Sequence, residues 1–174
     1  MTPCLPPTDP RITVFATVKG RLDLLSQTEG GNRMKIKVTR ADVWAASIED
    51  KVGGLAPKLE ALAAAGANLA FIIARRSPEK PGQGVVFLTP IRGAKQIKAA
   101  KAAGFHKTAT HHSICVVGGD KPGLGAKMTE ALAGAGISLR GLSAAVLGKN
   151  FVTYIAVDTE DDAKKAVRVL KKLS

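Results

Sequence analysis

The chain has 174 residues, 45% hydrophobic but only 4% aromatic, which allows one ordinary domain or two small ones built on Val, Ile, Leu and Ala. No window reaches about 18 uninterrupted apolar residues, which excludes a membrane-spanning helix; two cysteines, Cys4 and Cys115, exclude a disulfide framework and fit a reducing, cytoplasmic setting. The formal net charge of +12 admits a nucleic-acid partner, but Lys95, Lys98, Lys101, Lys164, Lys165, Lys171 and Lys172 fall on helix faces without the interleaved aromatics that stack bases, so a solvated surface is the better account.

Residues 1–33 stand apart. They mix Pro, Gly, Ser and Thr with two short apolar runs and end in the loop signal Gly30-Gly31-Asn32-Arg33. No basic start precedes a long apolar run, which argues against a secretory signal. Met34 opens a β-rich stretch and reads as a natural beginning, with residues 1–33 as an upstream extension.

From there the elements follow in order. Residues 36–48 suit a long strand, with a bend at Arg40, Ala41 and Asp42. A loop at 50–54 leads into a helix over 56–65, whose Leu55, Leu59 and Leu62 share one face. Pro57 fits only in that helix's first turn, where its missing N–H is not needed. Residues 69–75 and 85–91 are strands, joined by a Pro- and Gly-rich loop. A Lys-rich helix over 94–103 ends at Gly104, and a short strand over 105–110 follows. Residues 113–117 form the next strand. Asp120 can cap a helix over 122–133, with Pro122 and Gly123 in its opening turn and Leu124, Met128 and Leu132 on its apolar face. Strands over 139–147 and 151–157 are joined by the hairpin Gly148-Lys149-Asn150. Thr159 caps a last helix with acids in its first turn; Val167, Leu170 and Leu173 face inward.

The order repeats, and so does the text. Residues 50–69 align without gaps on residues 120–139 at an offset of 120 − 50 = 70, with eleven of twenty positions identical. Four of the eleven are Ala, which is common here; the other seven exceed the one or two that background composition would give. The chain is a tandem duplication of a β-α-β-β-α unit, an α+β arrangement in which an antiparallel sheet carries both helices on one face. The first unit has an extra strand at 105–110 and the second has none after Leu173. Pseudo-symmetry therefore predicts that residues 34–39 fill that place in the second sheet, interlocking the two units.

Two such units, each with Asp-Lys-x-Gly in the first loop and Ala-Gly-x-(Asn/Ser)-Leu before the second strand, resemble tandem ACT domains, and the chain looks most like stand-alone bacterial proteins made of two ACT units. The resemblance covers residues 34–173. It implies two ferredoxin-like ACT units, 34–110 and 111–174, with an amino acid bound where the first strand meets the first helix, often between two units. It also implies a sensor without catalytic activity or cofactor, room for a homodimer, and a separate regulated protein as partner. The second loop, Asp120-Lys121-Pro122-Gly123, matches the pattern; the first departs from it, with Val52 for Pro and Pro57 at the helix start.

The residues support that location. A helix N-terminus offers N–H groups and a positive dipole end to a carboxylate. Gly53, Gly54 and Gly123 allow close approach to the backbone, flanked by Lys51, Leu55, Lys121, Pro122 and Leu124. Asp50 or Asp120 can attract an ammonium group, and Asn68 or Ser138 can hydrogen-bond from a neighbouring unit. Each residue also has a structural role in caps and turns, so the duplicated set carries the reading. His106, His111, His112 and Cys115 lie close in sequence without metal-ligand spacing, and the two adjacent histidines point to opposite faces of a strand. No dinucleotide or P-loop glycine pattern is complete, and no nucleophile has a motif-paired base. The competing readings are a nucleic-acid module on the same ferredoxin-like architecture and an assembly protein that uses a sheet edge.

Overall fold

The computed structural model describes residues 36–108 and 111–173. The expected extension over residues 1–33 and the start at Met34 lie outside these. Twelve elements follow in order: β1 (Lys37–Ala41), β2 (Trp44–Glu49), α1 (Ala56–Ala64), β3 (Phe71–Arg76), β4 (Gln83–Thr89), α2 (Gly93–Ala102), β5 (His106–Lys107), β6 (His112–Gly119), α3 (Leu124–Gly134), β7 (Gly141–Leu147), β8 (Asn150–Val157) and α4 (Glu160–Lys171). They make two antiparallel four-stranded sheets, ordered β3-β4-β2-β5 and β1-β6-β8-β7, each with two helices. This is the expected ferredoxin-like pair.

The strands exchange as pseudo-symmetry requires. β1 precedes the first repeat, yet it pairs with β6 of the second, Lys37 opposite Val117 and Ala41 opposite Ser113. β5 closes the first sheet against β2, Ala45 opposite His106. The single long strand expected over 36–48 is therefore two strands in two sheets. The chain crosses at Asp42 and Val43, where the carbonyl of Asp42 accepts from Thr89 Oγ1 (2.8 Å) and that of Val43 from the Thr108 amide (3.4 Å). The strand expected over 105–110 shrinks to two residues for a related reason. Phe105 turns into the core with its amide on the Ala100 carbonyl, and Thr108 already belongs to the crossing.

Period two decides which side chains meet the helices. In the second repeat Ile114, Val116, Ile155 and Val157 point to one face and pack with Leu124, Met128 and Leu132 of α3 and with Ala163, Ala166 and Leu170 of α4. β1 contributes Val38 to the same core. In the first repeat Trp44, Ala46, Val86 and Leu88 pack with Leu62 of α1 and Ala100 of α2. α4 starts as expected: Thr159 Oγ1 accepts from the Asp162 amide at 3.0 Å, and three acids sit in the first turn. Its Glu160 receives a bidentate grip from Arg40 of β1, at 3.0 and 2.7 Å. That hydrogen bond holds the Glu160 carboxyl below its ordinary value. The exchanged strand is thus fixed to the second repeat by ladder, core and ion pair.

The opposite, helix-free faces of the two sheets meet. Phe71 of β3 stacks on Tyr154 of β8, ring centres 4.2 Å apart and planes 24° from parallel. Phe87 of β4 lies against His111, 5.2 Å between ring centres.

Candidate functional site

The two first loops are built alike. The amide of Asp50 donates to the Gly82 carbonyl (3.0 Å), and that of Asp120 to the Lys149 carbonyl (2.8 Å), so a hairpin anchors each loop at the same point. Gly53 and Gly123 both sit at φ 79°, in the left-handed region that favours glycine. The expected cap at Asp120 is corrected by this geometry. Asp120 is held at the hairpin, and Gly123 itself is the N-cap of α3, with no side chain capping the helix. α1 likewise begins without a side-chain cap, at Leu55, with Pro57 in its first turn. Both helices therefore present their first turn toward the loop, unlike α4 with its Thr159 hydroxyl.

Beyond that the loops diverge. In the first, a Cβ on Gly54 would collide with the Glu49 carbonyl, so that glycine serves the turn. Asp50 is paired with Arg76 of β3, its Oδ1 3.0 Å from Nε. Lys51 pairs with Glu49, and the bond from Lys51 holds the Glu49 carboxyl below its ordinary value. Gly53, Gly54 and Lys51 border a cleft of about 580 Å³ floored by Ala61, Ala102 and Ala103. Lys58 closes one side of the cleft and donates from Nζ to the Ala103 carbonyl at 2.6 Å, the C-cap of α2. Leu55 is half-buried against the core.

In the second loop Asp120, Lys121, Pro122 and Gly123 are exposed and Leu124 is buried. The position matching Arg76 is Val146 (76 + 70 = 146), so Asp120 has no ion pair among the described residues. Cβ atoms built on Gly123 and Gly125 would meet open space. Met128, the counterpart of Lys58, fills the core. Asn68 and Ser138 are both exposed, at the turns after α1 and α3. They do not join the loops of their own repeats. The 11 residues of α3 place Ser138 about 16 Å from the loop that starts the helix.

Sequence reasoning missed a second cavity, of about 380 Å³, between the helix-free faces. Phe71, Phe87 and Tyr154 wall it, with Arg75, Arg140 and His111 at the same cavity. Arg140 donates from Nε to His111 Nε2 (2.9 Å) and from Nη1 to Asp158 (2.9 Å). Nε2 of His111 is thus an acceptor, which places the proton of the neutral ring on Nδ1. Burial first, then the charges of Arg140 and Arg75, lower the His111 pKa from 6.5, with Asp158 opposing and His112 adding slightly. His112, on the other strand face, faces Glu160 with Nδ1 at 3.0 Å. Only the alternation of residues 111 and 112 could have hinted at this cavity. Its other walls come from distant segments.

Comparison with known proteins places this geometry. The family model described as the ACT domain matches residues 113–174. No curated protein matches the chain. Among solved structures, the regulatory subunit of aspartate kinase from Thermus thermophilus is similar at 19% identity and a TM-score of 0.56, over 83% of this chain and 99% of that one. A protein from Bacteroides thetaiotaomicron is similar at 22% identity and TM-score 0.62, over 78% of this chain and 89% of that one. Aspartate kinase from Clostridium acetobutylicum is similar at 16% identity and TM-score 0.55, over 85% of this chain and 36% of that one. The chain therefore carries a pair of ferredoxin-like units, and the ACT-domain model matches the second of them.

Proposed function

We propose that this protein is a regulatory sensor that binds an amino acid at its strand–loop–helix junctions and passes the signal to a separate protein, with no chemistry of its own. The two ACT units would be residues 34–110 and 111–174. The observation that carries the reading is the twinned loop: a left-handed glycine, Gly53 or Gly123, opens onto a helix start that no side chain caps. Such a start suits an α-carboxylate, which its N–H groups and dipole attract. The second loop is the stronger of the two. Asp120 there is unpaired among the described residues and can meet an α-ammonium group, whereas Asp50 is held by Arg76. Ser138 lies a helix length away, so it would complete the site from a second copy, as Asn68 would for the first loop. The reading therefore includes a homodimer. The similar regulatory subunit of aspartate kinase supports the role of a partner enzyme, and the ACT match supports the ligand class.

A thermal-shift screen of the twenty amino acids tests the reading, because a ligand at 100 times its Kd adds about 2.7 kcal/mol of stability. Calorimetry on a variant then locates the site. Gly123→Val is a poor choice, since φ 79° strains any branched residue. Gly125→Val is better: its Cβ meets nothing within 4 Å, so the fold survives while the approach to the helix start is blocked. Amino-acid affinity should fall by about tenfold or more. Undiminished affinity would move the site off this loop.

A further inference from the structure

The cavity between the sheets has a chemistry of its own, and neither loop contributes to it. Aromatic rings make up part of its walls. The Phe71–Tyr154 stack forms one side, and Phe87 against His111 forms another. At about 380 Å³ it lies in the range of small-molecule sites, which are largely apolar with a few converging polar groups.

The charged groups here share one sign. Arg75 and Arg140 both line the cavity, and among the described residues no acidic one does. Asp158, the nearest acid named by its effect on His111, is engaged by Arg140 Nη1. A guanidinium has five N–H donors. Arg140 spends two of them, on His111 and Asp158, which leaves 5 − 2 = 3. Arg75 is exposed and its charge reaches His111. His111 cannot neutralise either arginine, because its ring is neutral and its Nε2 is already an acceptor for one of them.

We propose that the inter-sheet cavity is a second ligand site that takes a small carboxylic acid with an aromatic body and no ammonium group. The carboxylate sits between Arg75 and Arg140, where planar forks accept it bidentately. The aromatic body lies against Phe71, Phe87 and Tyr154, which hold a flat ring by offset stacking. An α-ammonium group finds two cations, and the one carboxylate named beside them, Asp158, is already taken by Arg140, so the cavity discriminates against amino acids, the ligands assigned to the loops. The two sites thereby take different ligands, and this inference stands whether or not the loops bind.

Three probes sharing one ring separate the outcomes: phenylacetate, phenethylamine and phenylalanine. Each is titrated into the full chain, with NMR signals of His111 and Tyr154 read for the cavity and the Gly123 and Gly125 amides read for the loop. Tyr154 is the single tyrosine of the chain, so its ring signals are unambiguous. Phenylacetate should shift His111 and Tyr154 saturably, phenethylamine should not, and phenylalanine should be weaker there by about tenfold or more. Arg75→Gln, at an exposed position, should lower phenylacetate affinity by about tenfold with an unchanged melting temperature, and Arg140→Gln should lower the affinity likewise, with some loss of melting temperature from its lost bonds to His111 and Asp158. The proposal is overturned by no saturable shift by about 10 mM phenylacetate, by equal binding of phenethylamine, or by undiminished affinity in a folded Arg75→Gln protein. Shifts confined to the Gly123 and Gly125 amides would also overturn it, and would assign the carboxylate to the loop.

Discussion

One template has been spent in two ways. In the second repeat, thirteen described residues form the buried core, closed by Met128 and by Val38 from the exchanged strand. In the first, eight do, and the position of Met128 belongs to Lys58. The consequence is local and physical. Met128 packs between helix and sheet; Lys58 turns its ammonium to the end of α2, and a cleft opens beside it. The exchanged strands differ in the same direction. β1 gives the second sheet five residues, while β5 gives the first only two. The acids invert the pattern: Asp50 in the looser repeat is neutralised by Arg76, and Asp120 in the tighter one has no ion pair among the described residues. A well-packed repeat can hold an unsatisfied loop rigidly for a ligand, whereas the looser one has put its polar groups into holding itself together.

The largest effect should come from removing what the second repeat borrows. A chain starting at Arg40 loses Lys37 to Thr39 of β1 and with them the Val38 contact, and bares the β6 backbone to solvent. Unpaired sheet edges are templates for association. Circular dichroism and sedimentation should find this truncated chain unfolded or aggregated. A melt like that of the full chain would mean that the exchange is decoration and the repeats are independent.

Next come the matched leucines. Leu62 and Leu132 occupy equivalent positions and are almost wholly buried, so each change to Ala should cost about 2–5 kcal/mol. Leu132→Ala should lie toward the top of that range, since its denser surroundings collapse less readily around a void. Lys172→Ala, on an exposed face, should stay within about 0.5 kcal/mol of wild type. Urea denaturation read by Trp44, the single tryptophan and a core residue of the first repeat, measures all three. Equal losses for the leucines and the lysine would show that the helix faces have been misassigned.

What could be read in advance follows a physical division. Helix faces, the Thr159 cap and the Gly148 hairpin depend on neighbours in sequence, and the 70-residue offset exposed the exchange of β1 because it supplied a second copy to compare. The crossing at Asp42 and Val43 was not legible as a break, because strand propensity is the same whichever sheet the residues join. The cap at Gly123 was missed because the Lys149 carbonyl holds Asp120, and that contact spans a hairpin. The Asp50–Arg76 pair was within reach: Arg76 aligns with Val146, an asymmetry visible in the bare sequence. The inter-sheet cavity was out of reach, since Phe71, Phe87, His111 and Tyr154 meet only after both sheets have formed.

A small net effect, the balance of two larger ones, should come from making the first repeat copy the second at one side chain, with Lys58→Met. Two contributions oppose each other. The variant loses the Nζ bond to the Ala103 carbonyl and the ammonium placed 5.8 Å from the Phe105 ring centre. A half-exposed bond of that kind is worth about 0.5–1.5 kcal/mol net, and an exposed cation–π contact about 0.5–1 kcal/mol. In return the thioether covers the alanine floor of the cleft, at about 25 cal/mol per Å² of apolar surface removed from water. The sum should fall within about 1 kcal/mol of zero, with α2 fraying at its C-terminus because its last carbonyl has lost a donor. Hydrogen exchange should therefore quicken at the Ala103 and Gly104 amides while the global melt barely moves. If Lys58→Met instead unfolds the first repeat, Lys58 is a structural pin, and the cleft beside it is the by-product of that pin.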